Sequence, residues 1–413
     1  MMKQLLLLLL SFSALFGEFE VTGSVGLDSQ VYLTAPEDKH KSNFLAFQEL
    51  EFKYEEDALS VLVKLYAQED SYDLSSKEED INERTFVRLD EFYLNYDFEN
   101  DSIQAGKSIK MWGALEVRNI VDVFNPIDFR TDMFEPQKLG VYNASYSHFT
   151  ESGEISVILK LDEQDQEMSA YPYVYYFLPK FVNYNCELNE ETDNYRPSIY
   201  LTYSGSTDTE YALDFAFIYE NGYDSQRYFL PDSKLDGSPV NFNQYSYTVN
   251  KFMTYNTLVV DTTLLKLEAL YAKVDDNKYI GDYSHIALGF EHTLENFLDT
   301  SSALGLIGEY YKYTTYDDDK YGDLKLFETM QNDVFLGLRY SFNNPNDTSI
   351  LGGVIADMEY DEETYYVQFD SRFYDSFRLI GDYHYVNPSK NINTAYALLG
   401  KHQRIGLNLA WHF

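Results

Sequence analysis

Between Gly113 and Gln137 ionisable side chains stand at spaced positions among large apolar ones: Arg118, Asp122, Asp128 and Arg130 alternate with Val117, Ile120, Val121, Val123, Phe124, Ile127 and Phe129. Trp112 stands just before the segment, and Asn125-Pro126 lies in its middle. Two kinds of chemistry fit. Opposite charges a few residues apart can pair with each other or with a wall and so pin the segment, and Asn-Pro followed by Asp favours a turn. The same charges facing a water-filled passage would instead touch a permeating solute. Signals for catalysis are weaker. Ser284 and His285 are adjacent within an alternating run, so their side chains point to opposite faces and cannot act together. There is no Gly-x-Ser-x-Gly elbow. The single cysteine, Cys186, has no partner for an internal disulfide, and the seven histidines lack ligand spacing. Acidic runs such as Glu55-Glu56-Asp57, Glu78-Glu79-Asp80, Glu190-Glu191 and Asp317-Asp318-Asp319 lack the glycine spacing of a calcium loop and read as solvated tips. No enzyme activity, metal or cofactor is therefore expected.

Apolar residues in a solvated loop are costly, so the 113–137 segment needs a surface to pack against. The rest of the chain supplies a candidate. Alternating runs are predicted at 18–33, 43–54, 58–68, 84–98, 101–112, 138–149, 154–161, 197–204, 210–220, 243–253, 257–273, 283–294, 301–313, 331–343, 348–358, 363–374, 376–387 and 400–413. Their connections alternate between short and long, which is the pattern of a barrel with tight turns at one rim and extended loops at the other. The count is 18, with 16 left open because the break at Thr254–Asn256 is the weakest. Individual runs are two-faced. Leu59, Val61, Val63, Leu65 and Ala67 oppose Ser60, Lys64, Tyr66 and Gln68; Phe377, Leu379, Tyr383 and Tyr385 oppose Arg378, Asp382 and His384. Charges on the inner face imply a wet lumen, and a barrel of 16–18 strands is wide enough for an aqueous channel.

The two ends agree with this reading. Residues 1–17 carry Lys3, an apolar run from Leu5 to Phe16 and then Gly17, the form of a Sec-type export signal. At the other end Gln403, Ile405, Leu407, Leu409, Trp411 and Phe413 share one face of a final strand, opposite Arg404, Gly406, Asn408, Ala410 and His412. A greasy outer face ending in Phe413 suits recognition by the barrel-assembly machinery and a wall between lipid and water. Residues 18–413 then form one domain. Removing the signal takes the net charge from −37 to −38, which excludes nucleic acid as a partner, and 45% hydrophobic residues exclude disorder. No mature stretch of 18 apolar residues exists, so only a closed transmembrane antiparallel β-barrel could span a membrane. The 39 Tyr and 29 Phe are expected in interfacial girdles.

By this count 113–137 is the third long loop, and on these residues the chain resembles Gram-negative porin-like proteins, whose third external loop often folds inward to narrow the pore. More narrowly, Gly106-Lys107, Trp112-Gly113, Asp122, Asn125-Pro126, Asp128 and Arg130 resemble the pattern of an outer-membrane barrel family. The resemblance implies an outer-membrane location in a Gram-negative bacterium, contact with lipid and lipopolysaccharide, and loop 113–137 inside the lumen. Sequence departures from general diffusion porins leave trimer or monomer open. Arg88, Arg339, Arg378 and Arg404, on inner faces, are expected to form a basic ladder opposite the loop. The expected function is passive diffusion of small hydrophilic solutes, with cations preferred. The alternatives are a selective pathway for hydrophobic compounds, suggested by the Val, Ile and Phe of the loop, and a barrel enzyme or surface-binding protein.

Overall fold

The computed structural model describes residues 18–75, 84–189, 196–207, 209–316, 328–390 and 394–413; the expected export signal at 1–17 and the acidic runs at 78–80, 190–191 and 317–319 lie outside them. Eighteen strands form the wall. The first half comprises β1 (Glu18–Tyr32), β2 (Ser42–Glu56), β3 (Leu59–Asp70), β4 (Phe86–Asp97), β5 (Asp101–Ser108), β6 (Val141–Thr150), β7 (Gly153–Lys160), β8 (Ser198–Ser206) and β9 (Leu213–Tyr223). The second comprises β10 (Thr248–Val260), β11 (Thr263–Val274), β12 (Tyr283–Leu294), β13 (Ala303–Thr315), β14 (Asn332–Ser341), β15 (Ser349–Asp357), β16 (Glu363–Phe373), β17 (Phe377–Asn387) and β18 (His402–His412). Each pairs antiparallel with its neighbours in sequence, and β1 closes on β18 with Val25 opposite Trp411. Closure leaves no edge, which is what a sheet in lipid requires. Phe413 completes it: its N–H donates to the Gly23 carbonyl and its carbonyl accepts from the Gly23 N–H, both at 3.0 Å.

Alternation places the two faces as the physics of a lipid-water wall demands. Leu201, Phe217, Phe252, Leu288, Leu336 and Leu407 are exposed on the outside. Tyr66, Gln68, Glu220, His384 and Arg404 are buried inside. The tyrosines divide: Tyr142, Tyr146, Tyr310 and Tyr365 face outward, while Tyr200, Tyr247, Tyr283, Tyr311 and Tyr313 are buried in the interior. The abundance of tyrosine therefore serves lumen packing as well as the outer face, a use that composition alone could not separate from girdles.

The rim that carries both termini has tight connections, and the opposite rim has the long ones. The break expected at Thr254–Asn256 does not exist. β10 runs through it with Tyr255 opposite Glu268, and turns instead at Asp261-Thr262, where Asp261 takes the left-handed conformation (φ 52°). The reading failed there because Thr254 and Asn256, taken as turn formers, sit inside a strand whose alternation continues to Val260. Residues 243–245 belong to a separate small sheet in the loops: Val182–Asn189 runs parallel to Val240–Tyr245, which is antiparallel to Tyr228–Pro231. β5 ends at Ser108 rather than 112. Among the described residues, two short α-helices, α1 (Ser71–Ser75) and α2 (Ala395–Leu399), add to the loop rim; the Thr394 side chain caps α2 by accepting from the Ala397 N–H.

Candidate functional site

Residues 109–140 form the third long loop, which leaves β5 and crosses the interior to the far wall. Its root is held by the residues whose spacing suggested a motif. Asn125 is 3% exposed; its Nδ2 donates to the Leu139 carbonyl at 2.8 Å and the Ser108 carbonyl at 3.3 Å, and its Oδ1 accepts from the Lys110 N–H at 2.8 Å. One amide side chain thus clips both ends of the loop together. Asp122 accepts from the Trp112 N–H at 3.3 Å and pairs with Lys138. Burial pushes the Asp122 carboxyl up, against the pull of Lys138. The Trp112 ring packs 5.6 Å from both Phe124 and Tyr200. Asp128 accepts from Arg88 Nη1 at 2.8 Å and from Arg130 Nη2 at 2.7 Å, and Arg130 lies 4.2 Å over the Phe86 ring.

Beyond the root, the loop meets two carboxylates of the opposite wall. Glu268 of β11 accepts from the N–H groups of Ala114 (2.6 Å), Leu115 (3.3 Å), Ile120 (2.7 Å) and Val121 (3.4 Å). Glu309 of β13 accepts from Glu116 (2.6 Å) and Val117 (3.2 Å), while the Tyr311 hydroxyl accepts from Arg118 (3.3 Å). This answers how an apolar loop can lie in a polar lumen. Its side chains join a hydrophobic cluster inside the barrel, where Val121, Phe124, Val249, Ala272, Ala287 and Phe335 are fully buried. Its backbone donors, which burial would otherwise orphan, are taken up by carboxyl and hydroxyl oxygens of the wall. Sequence reasoning missed Glu268 and Glu309. The available signal was an acid on the inward face of β11, with Leu264 and Lys266 on one side of Glu268 and Leu270 and Ala272 on the other.

Replacing Glu268 by Ala is expected to loosen the loop without opening the wall. Orphaned buried amides cost about 1–3 kcal/mol each, so docking should lose roughly 3 kcal/mol even after water enters. Amide hydrogen exchange over 114–121 should then accelerate by about a hundredfold in the intact barrel. Exchange unchanged within a factor of two would show that the apolar contacts hold the loop unaided.

The other site residues have the following places. Arg118 pairs with Glu328 and bonds Thr329 Oγ1 at 3.0 Å. Burial opposes the charge of Glu328, but Arg118, His285 and the Met330 N–H together outweigh it and hold that carboxyl below its ordinary value. Arg339 bonds Glu291 at 2.8 Å and pairs with Glu116 of the loop. Arg404 bonds Asp382 at 2.8 Å and pairs with Asp132 of the loop. Arg378 pairs with Asp370 near the rim that carries the termini and makes no described contact with the loop. Of the four arginines expected opposite the loop, Arg88, Arg339 and Arg404 thus meet its carboxylates, and Arg378 does not. Each has its own carboxylate, because an unpaired guanidinium on a half-buried wall would be expensive.

Beside the loop lies a cavity of about 860 Å³. Loop 113–137 forms one side through Val117, Val123, Phe129 and Phe134; the fourth and fifth loops add Phe177, Tyr184, Tyr228 and Phe229, and α2 adds Tyr396 and Leu398. Polar groups at its margin include Asn119, Glu135, Gln226 and Gln368. Such a lining can hold a small molecule with an apolar body and a few polar points.

No family model matches the sequence, and no curated protein matches it. Among solved structures, the chain is similar to Pseudomonas aeruginosa OccK11 (OpdR), with TM-score 0.52 and 8% identity over 96% of each chain. It is similar to OccK5 (OpdH) of the same organism, with TM-score 0.51 and 8% identity over 96% of this chain and 98% of that one. The outer membrane channel DcaP of Acinetobacter baumannii aligns with TM-score 0.45 and 12% identity over 96% and 97% of the two chains.

Proposed function

We propose that this barrel is a selective channel for small organic solutes across the outer membrane of a Gram-negative bacterium, with loop 113–137 as its narrowest point. The observation that carries the reading is the pairing of an apolar loop docked across the lumen with a cavity of about 860 Å³ left beside it. A solute that crosses must pass the loop, and the cavity favours one with an apolar portion. The apolar outer belt supports membrane residence. Passive diffusion of hydrophilic solutes is the second reading, favoured by the charged wall toward the rim with the termini, where Glu49, Glu51, Glu55 and Glu91 outnumber Lys53 and Lys64 on the inner faces of β2–β4.

Reconstitution into liposomes separates the two. The selective reading expects aromatic or alkyl amines and alcohols to enter faster than sugars of equal size; equal rates governed by size alone would replace it with the diffusion reading, and no entry of either would end both. The acidic wall adds an expectation for ions. In a salt gradient across a planar bilayer the reversal potential should show cation preference. The preference should fade at about 1 M salt, where the screening length is about 3 Å. Anion preference would contradict the assignment of the Glu-rich strip to the conducting path.

A further inference from the structure

Among the described residues, the basic side chains that border the loop cavity are committed elsewhere. Arg118 pairs with Glu328, Lys138 with Asp122, and Arg227 bonds Glu163 at 2.8 Å. Glu135 is different. It is exposed on the cavity side, and only its backbone is bonded, the N–H donating to Asp132 at 3.2 Å; among the described residues its carboxylate has no hydrogen bond or close ion pair. Arg404, the cation whose charge acts on it most strongly, is already bonded to Asp132 and Asp382, and Asp28 adds a further negative charge. Around this end of the cavity four carboxylates face one guanidinium. The surrounding surface is aromatic: Phe134 precedes Glu135, Tyr175 lies 6.3 Å from the Phe134 ring centre to centre, and Tyr366 and Tyr396 share the lining.

An apolar cavity with an uncompensated carboxylate is matched by a ligand that brings an apolar body and a single positive charge. Aromatic faces reinforce that choice, since they attract cations and offer nothing to anions. We propose that the cavity binds an organic ammonium ion, with the ammonium at Glu135 and the hydrocarbon or aryl portion against loop 113–137. A carboxylate ligand of the same size would meet Glu135 and its acidic neighbours, with no free cation among the described residues to receive it. This inference rests on the selective-channel reading for its biological meaning and not for its chemistry. The poor hydration of the barrel interior, with the nearby charge of Asp132, pushes the Glu135 carboxyl up to about 7, so the test belongs at pH 8, where the ionised form prevails.

Isothermal titration calorimetry of the intact, detergent-solubilised barrel tests it with phenethylammonium chloride, methylammonium chloride and sodium 3-phenylpropionate. The wild type is expected to bind phenethylammonium at least about tenfold more tightly than either of the others, and E135Q to lose at least about tenfold, the worth of one charge-assisted contact. E135Q is expected to fold, because the side chain is exposed to the cavity and bonded to no described residue; heat-modifiable migration in a gel confirms that. Equal or tighter binding of 3-phenylpropionate, unchanged affinity in folded E135Q, or no binding of phenethylammonium would each overturn the proposal. Binding without any liposome entry would leave the ammonium site standing and sink the channel reading; entry without binding would do the reverse.

Discussion

Excising residues 118–130 is expected to raise single-channel conductance severalfold while leaving the barrel folded. The wall hydrogen bonds run between neighbouring strands and none passes through this segment. Its removal exposes Glu268, Glu309 and Tyr311, but to water in a widened lumen, so these acceptors are resolvated rather than stranded. The hydrophobic cluster loses Ile120, Val121, Phe124 and their partners Trp112 and Val117 lose cover, which costs stability without breaking closure. Milder changes should act differently. Asp128→Asn with Arg130→Gln removes a buried ion pair at the loop root, and should alter ion selectivity more than conductance. Bilayer recordings on the deletion protein decide the matter: conductance equal to wild type would mean the conducting path bypasses the loop, and the constriction assignment would fall with it.

Deleting Phe413 is expected to leave export intact and to reduce folded barrel in the outer membrane by an order of magnitude or more. Two terms are lost together. The residue makes both backbone bonds to Gly23 at the β1–β18 seam, and its ring lies 4.9 Å from Trp411 on the outer face. The seam is the last pairing to form when a barrel closes, and an open edge has no place in lipid. We propose that the same outward aromatic end is what the assembly machinery grips. Heat-modifiable migration of membrane fractions gives the readout, and Phe413→Tyr, which keeps ring and backbone, should retain assembly. Normal insertion of the deletion protein would remove the assembly role from this residue.

Much of the wall was legible because side-chain alternation is a local property. A strand between lipid and water must repeat every two residues, so Leu59 to Gln68, Phe377 to His384 and Gln403 to Phe413 disclose both their conformation and their faces without reference to anything distant. Strand number followed from the rhythm of connections. It survived an error at Thr254–Asn256, since misplacing one turn between two real strands shifts boundaries and not the count. The inserted loop was also foreshadowed, because seven large apolar residues between Val117 and Arg130 imply cover somewhere.

By itself the sequence determined the period, the two faces of the wall, the closed topology that satisfies every backbone group in lipid, and the segment that could not remain in water. Only the tertiary structure decided what that segment meets. Glu268 lies about 150 residues from the amides it accepts, and Asp132 lies about 270 from Arg404; no local rule links them, because barrel closure alone sets which inward side chains stand opposite one another. The small sheet of the fourth and fifth loops, the separation of the four arginines onto separate carboxylates, and the solitary Glu135 at the cavity edge follow from the same cause. Each depends on distances across the lumen, which chain order does not encode.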